Sequence, residues 1–224
     1  MAEPKPKPGR HRLPSSKAWP SKAAGIVDIG IGVVEILGAK KALEAAQKIK
    51  GNENAVIAVA DKWRSAGENV MNAEEPLATS WNSLTADWQG GAFEAYRWHM
   101  TRNGAVADAN AAALFAAETA LLDLSLQVAN AYNLAVDLTT LAASRIQPAL
   151  GGIGWTSNKK DDKPTIAKAL ADYVEAINKV DTSLRTAIVT QKVGLAKFAS
   201  ELSKLKRPGH FPENATNPKR WVHR

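Results

Sequence analysis

The sequence predicts an all-α fold, an elongated four-helix bundle built around one long antiparallel helical hairpin. Three observations carry that prediction. Apolar residues recur at spacings of three and four over most of residues 22–206, the period of a helix that buries one face. The alternating stretch Ile29-Gly30-Ile31-Gly32-Val33 would suit a strand, but no second stretch offers it a partner. Gly and Pro cluster at 51, 90–91, 148–154 and 208–209, which punctuates the chain into long segments.

Residues 1–21 open with Lys-Pro repeats and a Pro-Ser-Ser stretch. Pro locks φ and lacks a backbone donor, so this is expected to be a disordered, basic arm. Ser21 is the expected N-cap of a first helix over 22–50, with Ile26, Ile29, Val33, Ile36, Leu37 and Leu43 on one face. Four glycines, at 25, 30, 32 and 38, count against a continuous helix and suggest close packing or a segment that changes shape.

Gly51-Asn52 should end that helix and cap the next. Residues 53–87 then carry an alternating four-three spacing through Val56, Ala60, Trp63, Gly67, Val70, Glu74, Leu77, Trp81, Leu84 and Trp88, a coiled-coil seam. Pro76 should kink this helix. The third helix, 91–147, has its seam at Phe93, Tyr96, Met100, Ala107, Leu114, Leu121, Val128, Ala135 and Leu138. At 57 residues it would span about 85 Å if straight. Leu122, Leu124 and Leu126 lie off the seam, so this helix should meet more than one neighbour. Pro148 is expected to end it. After a loop over 148–163, Asp162 and Pro164 should start a fourth helix, 164–206. Residues 207–224 form a basic tail.

Between the second and third helices stands Ala86-Asp87-Trp88-Gln89-Gly90-Gly91-Ala92-Phe93. Gly90 and Gly91 supply the unhindered backbone of a tight turn, and Trp88 has the apolar area to sit beneath it. This stretch, at the centre of a hairpin over 53–147, resembles the WXG-motif family of type VII secretion substrates. The resemblance covers roughly residues 52–147 and rests on Trp88-x-Gly90 at the turn and the Ala-rich helix that follows. It implies a secreted helical protein that acts by helix–helix association. It also implies that Trp88, Gly90 and Gly91 take part in recognition by the secretion machinery. The family's second signal, Tyr-x-x-x-Asp/Glu after the hairpin, has no clear match: Tyr132 meets Asp137 one residue late, and Tyr173 has Ile177 at the acidic position.

Composition narrows the chemistry. The chain has no Cys, and its four His, at 11, 99, 210 and 223, are scattered, so no metal or cofactor is expected. No nucleophile elbow or phosphate-binding loop occurs, and no catalytic residues stand out; the reading is not an enzyme, with no small-molecule substrate. His99 reads as a half-exposed packing residue. The net charge of +7 is uneven. Residues 1–22 and 202–224 each carry six cations and one acid, +5 apiece, which leaves −3 for the middle and argues against a nucleic-acid-binding core. The weaker scaffold reading would bind nucleic acid through the basic ends alone.

No apolar leader and no membrane-spanning run of about 20 residues is found, so export would use a leaderless, type VII-like route, with a cytoplasmic location as the alternative. The expected partners are a second copy, a related small helical protein, or the secretion machinery. A different class remains open: an all-helical pore-forming toxin component whose Gly25–Gly38 segment, through Ile29, Ile31, Val33 and Ile36, enters a bilayer without crossing it.

Overall fold

Among the described residues the protein has five helices and one two-residue strand pairing. The structure, a computed structural model, describes residues 15–151, 162–203 and 222–223. The helices are α1 (Ser21–Val33), α2 (Ala39–Lys48), α3 (Glu53–Asp87), α4 (Gly91–Gly151) and α5 (Lys163–Ser203). Strands β1 (Trp88–Gln89) and β2 (Val222–His223) pair antiparallel. The all-α fold class holds.

The expected single helix over 22–50 is instead two. Val34 turns extended (φ −135°) after α1, and Gly38 adopts φ +86°, a conformation that only glycine takes without strain. Pro20, not Ser21, occupies the N-cap of α1, with no side-chain cap bond. At the start of α3 the Ala55 N–H donates to Asn52 Oδ1 (3.1 Å), the cap the sequence called for. The α3 helix runs unbroken past Pro76. The α4 helix continues through Pro148 to Gly151 rather than ending at 147. A proline in a final turn forfeits one helix bond, and here Ala149 is buried in the core just beyond it. Residues 152–161 and 204–221, which include most of the expected loop and tail, lie outside the described residues, as does the arm over 1–14.

The chain divides into two compact units. In the second (residues 10–56 and 122–191), α1, α2, the later part of α4 and the earlier part of α5 surround one core. Ile146, Ile166, Leu170 and Ile177 are fully buried there, each worth about 1.5–3 kcal/mol of transfer free energy. Gly30 lets α1 approach: a Cβ at that position would stand 3.1 Å from Ile146 Cγ2. Residues 15–20 belong to this unit and are not a free arm. Trp19 packs on Tyr132 with ring centroids 6.4 Å apart, and Lys17 Nζ bonds both carboxylate oxygens of Asp137 at 2.6 and 2.7 Å.

The first unit (residues 1–9, 57–121 and 192–224) holds the hairpin proper. Residue 64 of α3 faces 118 of α4, and 67 faces 115, an antiparallel register that leads into the connection at 88–90. On α5, Phe198 meets Trp63 edge-on at 5.7 Å.

Candidate functional site

The hairpin connection is the first candidate. Trp88 and Gln89 leave the helix as an extended pair, and Gly90 takes φ +98°, which reverses the chain into α4. Gly91 has no such requirement: it is the first residue of α4, and a Cβ there would meet nothing within 4 Å. The Glu94 N–H donates to Gly90 O (3.1 Å), which opens the helix on the turn itself. The backbone of β1 pairs with β2, Trp88 opposite His223 and Gln89 opposite Val222. The side chains of Leu77, Trp81, Leu84 and Trp88 lie outside the described residues, so that part of the expected seam has no structural counterpart here.

The rest of the seam is displaced. Leu114 is buried as expected, but Trp63, Val70, Phe93, Leu121 and Val128 are only half-buried, and Leu122 is the buried leucine in place of Leu121. The centre of the buried face of α4 runs instead through Ala111, Glu118, Ser125, Tyr132, Thr139 and Ile146, at seven-residue spacing. A reading that follows apolar residues passes over this line because four of its six members are polar or part-polar.

Each polar member has its own surroundings. Glu118 Oε1 accepts from Arg64 Nε at 2.6 Å, with Arg64 Nη2 also at 2.6 Å. Glu118 is buried, 4% exposed, and Arg64 is half-buried at 13%, so this is a largely desolvated ion pair that ties α3 to α4 at one register. Among the described residues, the second carboxylate oxygen of Glu118 and the hydroxyl of Ser125 have no hydrogen-bond partner. Thr139 Oγ1 donates to Ala135 O (2.8 Å) and shares a hydrogen bond with the Tyr173 hydroxyl at 3.1 Å. Burial pushes the Tyr173 phenol above its ordinary value, and the Thr139 bond pulls the other way. Tyr132 and Tyr173, the two tyrosines weighed against the Tyr-x-x-x-Asp/Glu signal, are both core residues.

His99 is buried rather than half-exposed, and Asn103 Nδ2 donates to its Nε2 at 2.9 Å. The ring is held one helical turn from its partner, so packing and a local hydrogen bond account for it. Neighbouring Trp98 is 61% exposed, with the Arg102 guanidinium 5.2 Å over its ring.

The candidate bilayer segment is built into the second unit. Ile31, Val33 and Ile36 pack against its core, while Ile29, at 58% exposed, and Leu37, at 98%, face outward. The helix that carries three of these residues is 13 residues long, about 20 Å, and Ile36 lies beyond it. Among the described residues one helix, α4, is long and apolar enough to cross a membrane. A groove of about 450 Å³ in the second unit is lined by apolar Ala45, Ile49, Leu184 and Ile188 and by charged Lys41, Glu44, Lys48, Asp181 and Arg185. Arg185 Nε already bonds Asp181 (2.7 Å). Among the described residues no group of three or more His, Cys, Asp or Glu is placed to hold a metal ion.

No family model, curated protein or solved structure matches the chain.

Proposed function

We propose that this chain is a non-enzymatic, WXG-like helical protein of the type VII secretion class. It works through helix–helix association, with a second copy or a related small helical protein, as an exported substrate or as the companion of an exported effector. The observation that carries the reading is the position of Trp88-x-Gly90. It forms the connection of a long antiparallel helical hairpin, with Gly90 at φ +98° reversing the chain. Trp98 and Val59, both largely exposed in the hairpin unit, supply apolar surface of the kind an associating helix would cover.

The test is export. The full chain is expressed in a host with an active type VII system and in the same host with the secretion ATPase inactivated. The expected result is protein in the medium only with the active ATPase, and a marked fall for Trp88→Ala. Equal distribution in both hosts sinks the reading.

The pore-forming alternative draws on one observation, the apolar window of α4, only 28% of which is buried. Leakage from anionic liposomes, undiminished by Ile31→Asp and Val33→Asp, would favour that version with α4 as the inserting element.

A further inference from the structure

A primary amide carries a donor and an acceptor side by side, so one Asn side chain can bond both the N–H and the C=O of a passing backbone. Asn133 of α4 does so. The Lys17 N–H donates to its Oδ1 (2.8 Å), and its Nδ2 donates to the Ser15 carbonyl (3.4 Å). One turn along the same helix, Asp137 takes the Lys17 ammonium on both carboxylate oxygens. Trp19 lies on the ring of Tyr132, which Lys50 Nζ also approaches to 5.8 Å. Ala18, between Lys17 and Trp19, is exposed, so alternate side chains turn to the helix as in an extended chain. Tyr132 and Asp137, whose spacing misses the Tyr-x-x-x-Asp/Glu signal, are here the two ends of one contact face.

We infer that Tyr132, Asn133 and Asp137 form a recognition site for an extended segment of the pattern cation-x-aromatic, and that residues 15–19 fill it in cis as an exchangeable strap. The partner it fits is a protein segment with Lys or Arg two residues before a Trp. Three observations support this. Each site residue reads a different feature: Asn133 the backbone, Asp137 the cation, Tyr132 the ring. Residues 15–19 belong to no helix or strand, so their departure breaks no secondary structure. The ion pair is open to water, with the Lys17 and Asp137 side chains 49% and 57% exposed, so it holds the strap weakly. The site itself stays, because α4 is anchored beside it through Ala135, Val136, Ala142 and Ile146 in the core of the second unit. The inference does not depend on the secretion reading.

Tethering keeps the strap in place. A segment on the same chain acts at an effective concentration on the order of millimolar, so a free segment reaches the site only when the strap is disabled or outnumbered. Lys17→Glu sets a like charge against Asp137, and Trp19→Ala removes the ring that lies on Tyr132. Neither change alters a residue of the site or of any helix.

The experiment uses the full-length Lys17→Glu/Trp19→Ala chain and a fluorescently labelled peptide of residues 15–20, read by anisotropy. Protein is titrated to about 2 mM, because so short a segment with a few exposed contacts binds in the millimolar range. The expected result is binding at least tenfold tighter to the variant than to the unaltered chain, with the helix content of the two chains equal by circular dichroism. A peptide carrying Lys17→Glu should bind the variant at least fivefold more weakly. Adding Asp137→Lys to the variant should reverse that order, so that the Lys17→Glu peptide becomes the tighter ligand. Equal binding to both chains, no binding to the variant, or an order that Asp137→Lys does not reverse overturns the inference. Loss of helix content in the variant overturns it too, because the strap would then be part of the fold and not exchangeable.

Discussion

At the scale of single residues, the decisive feature is a charged pair where the sequence pattern asks for apolar packing. Glu118 sits in an Ala-rich stretch of α4 and is buried against Arg64. Taking two charges out of water costs as much as their attraction returns, so such a pair fixes register more than it adds stability. Arg64→Ala leaves the carboxylate buried and unpaired and should cost about 3–5 kcal/mol in urea unfolding. Arg64→Met with Glu118→Leu should be neutral or stabilising, and an equally large loss in the double variant would show that the pair contributes more than register. Tyr173 gives a pH signature. Its folded pKa is raised above 10.0 by burial, so the unfolded chain ionises first. Its contribution to stability is complete below pH 10 and is lost as pH rises through 10 towards the folded value. Stability should therefore fall less steeply above pH 10 in Tyr173→Phe. At neutral pH that variant should lose about 1 kcal/mol, the net worth of the bond to Thr139. Neither residue was legible in the sequence as a buried polar group. Arg64 falls beside the apolar seam that Trp63 marks, and Glu118 interrupts an Ala run as any solvated charge would.

At the scale of elements, the glycines of α1 separate two roles that sequence alone leaves merged. Gly25 is exposed and a Cβ there would meet nothing within 4 Å, whereas a Cβ on Gly30 would press Ile146 at 3.1 and 3.3 Å. Gly25→Ala should stabilise by about 0.5–1 kcal/mol through helix propensity. Gly30→Ala should give no gain or a net loss of about 1–2 kcal/mol, because the buried isoleucine must move in a packed core. Thermal melts of the two variants, five residues apart on one helix, decide it; equal stabilisation would mean that α1 does not need its close approach. The hairpin, the Asn52 cap and the Gly90 reversal were all readable from residue type and spacing. The break at Gly38 was not, because a glycine for close packing and a glycine for positive φ look alike in sequence. The seam of α4 was misplaced because the apolar residues that define it flank the centre of the buried face, where Glu118, Ser125, Tyr132 and Thr139 stand. Pro148 was over-read: near a helix end it costs one bond, and the burial of Ala149 holds the turn in place.

At the scale of the whole molecule, the described residues of the two units differ in what they bury. The second unit buries large side chains from four helices, among them Val27, Leu43, Tyr132, Ile146, Leu170 and Ile177. In the first unit the buried residues described are mostly small or polar: Ala60, Ala92, His99, Ala111, Ala117 and Glu118, with Leu114 the one large aliphatic. Apolar area buried sets local stability, so backbone opening should be easier in the hairpin unit even though α4 runs as one helix from 91 to 151. Hydrogen exchange followed by mass spectrometry should show amides of 57–72 and 92–110 exchanging well ahead of those in 132–149 and 166–180. Uniform protection along α4 would contradict this, because it would mean that the helix opens only as a whole. The same measurement bears on association. A partner that covers the hairpin stabilises only what it touches, so protection should rise in 57–72 and 92–110 and stay level in 166–180. A rise confined to 166–180 would instead move the interface to the second unit and count against the proposed recognition role of the Trp-x-Gly turn.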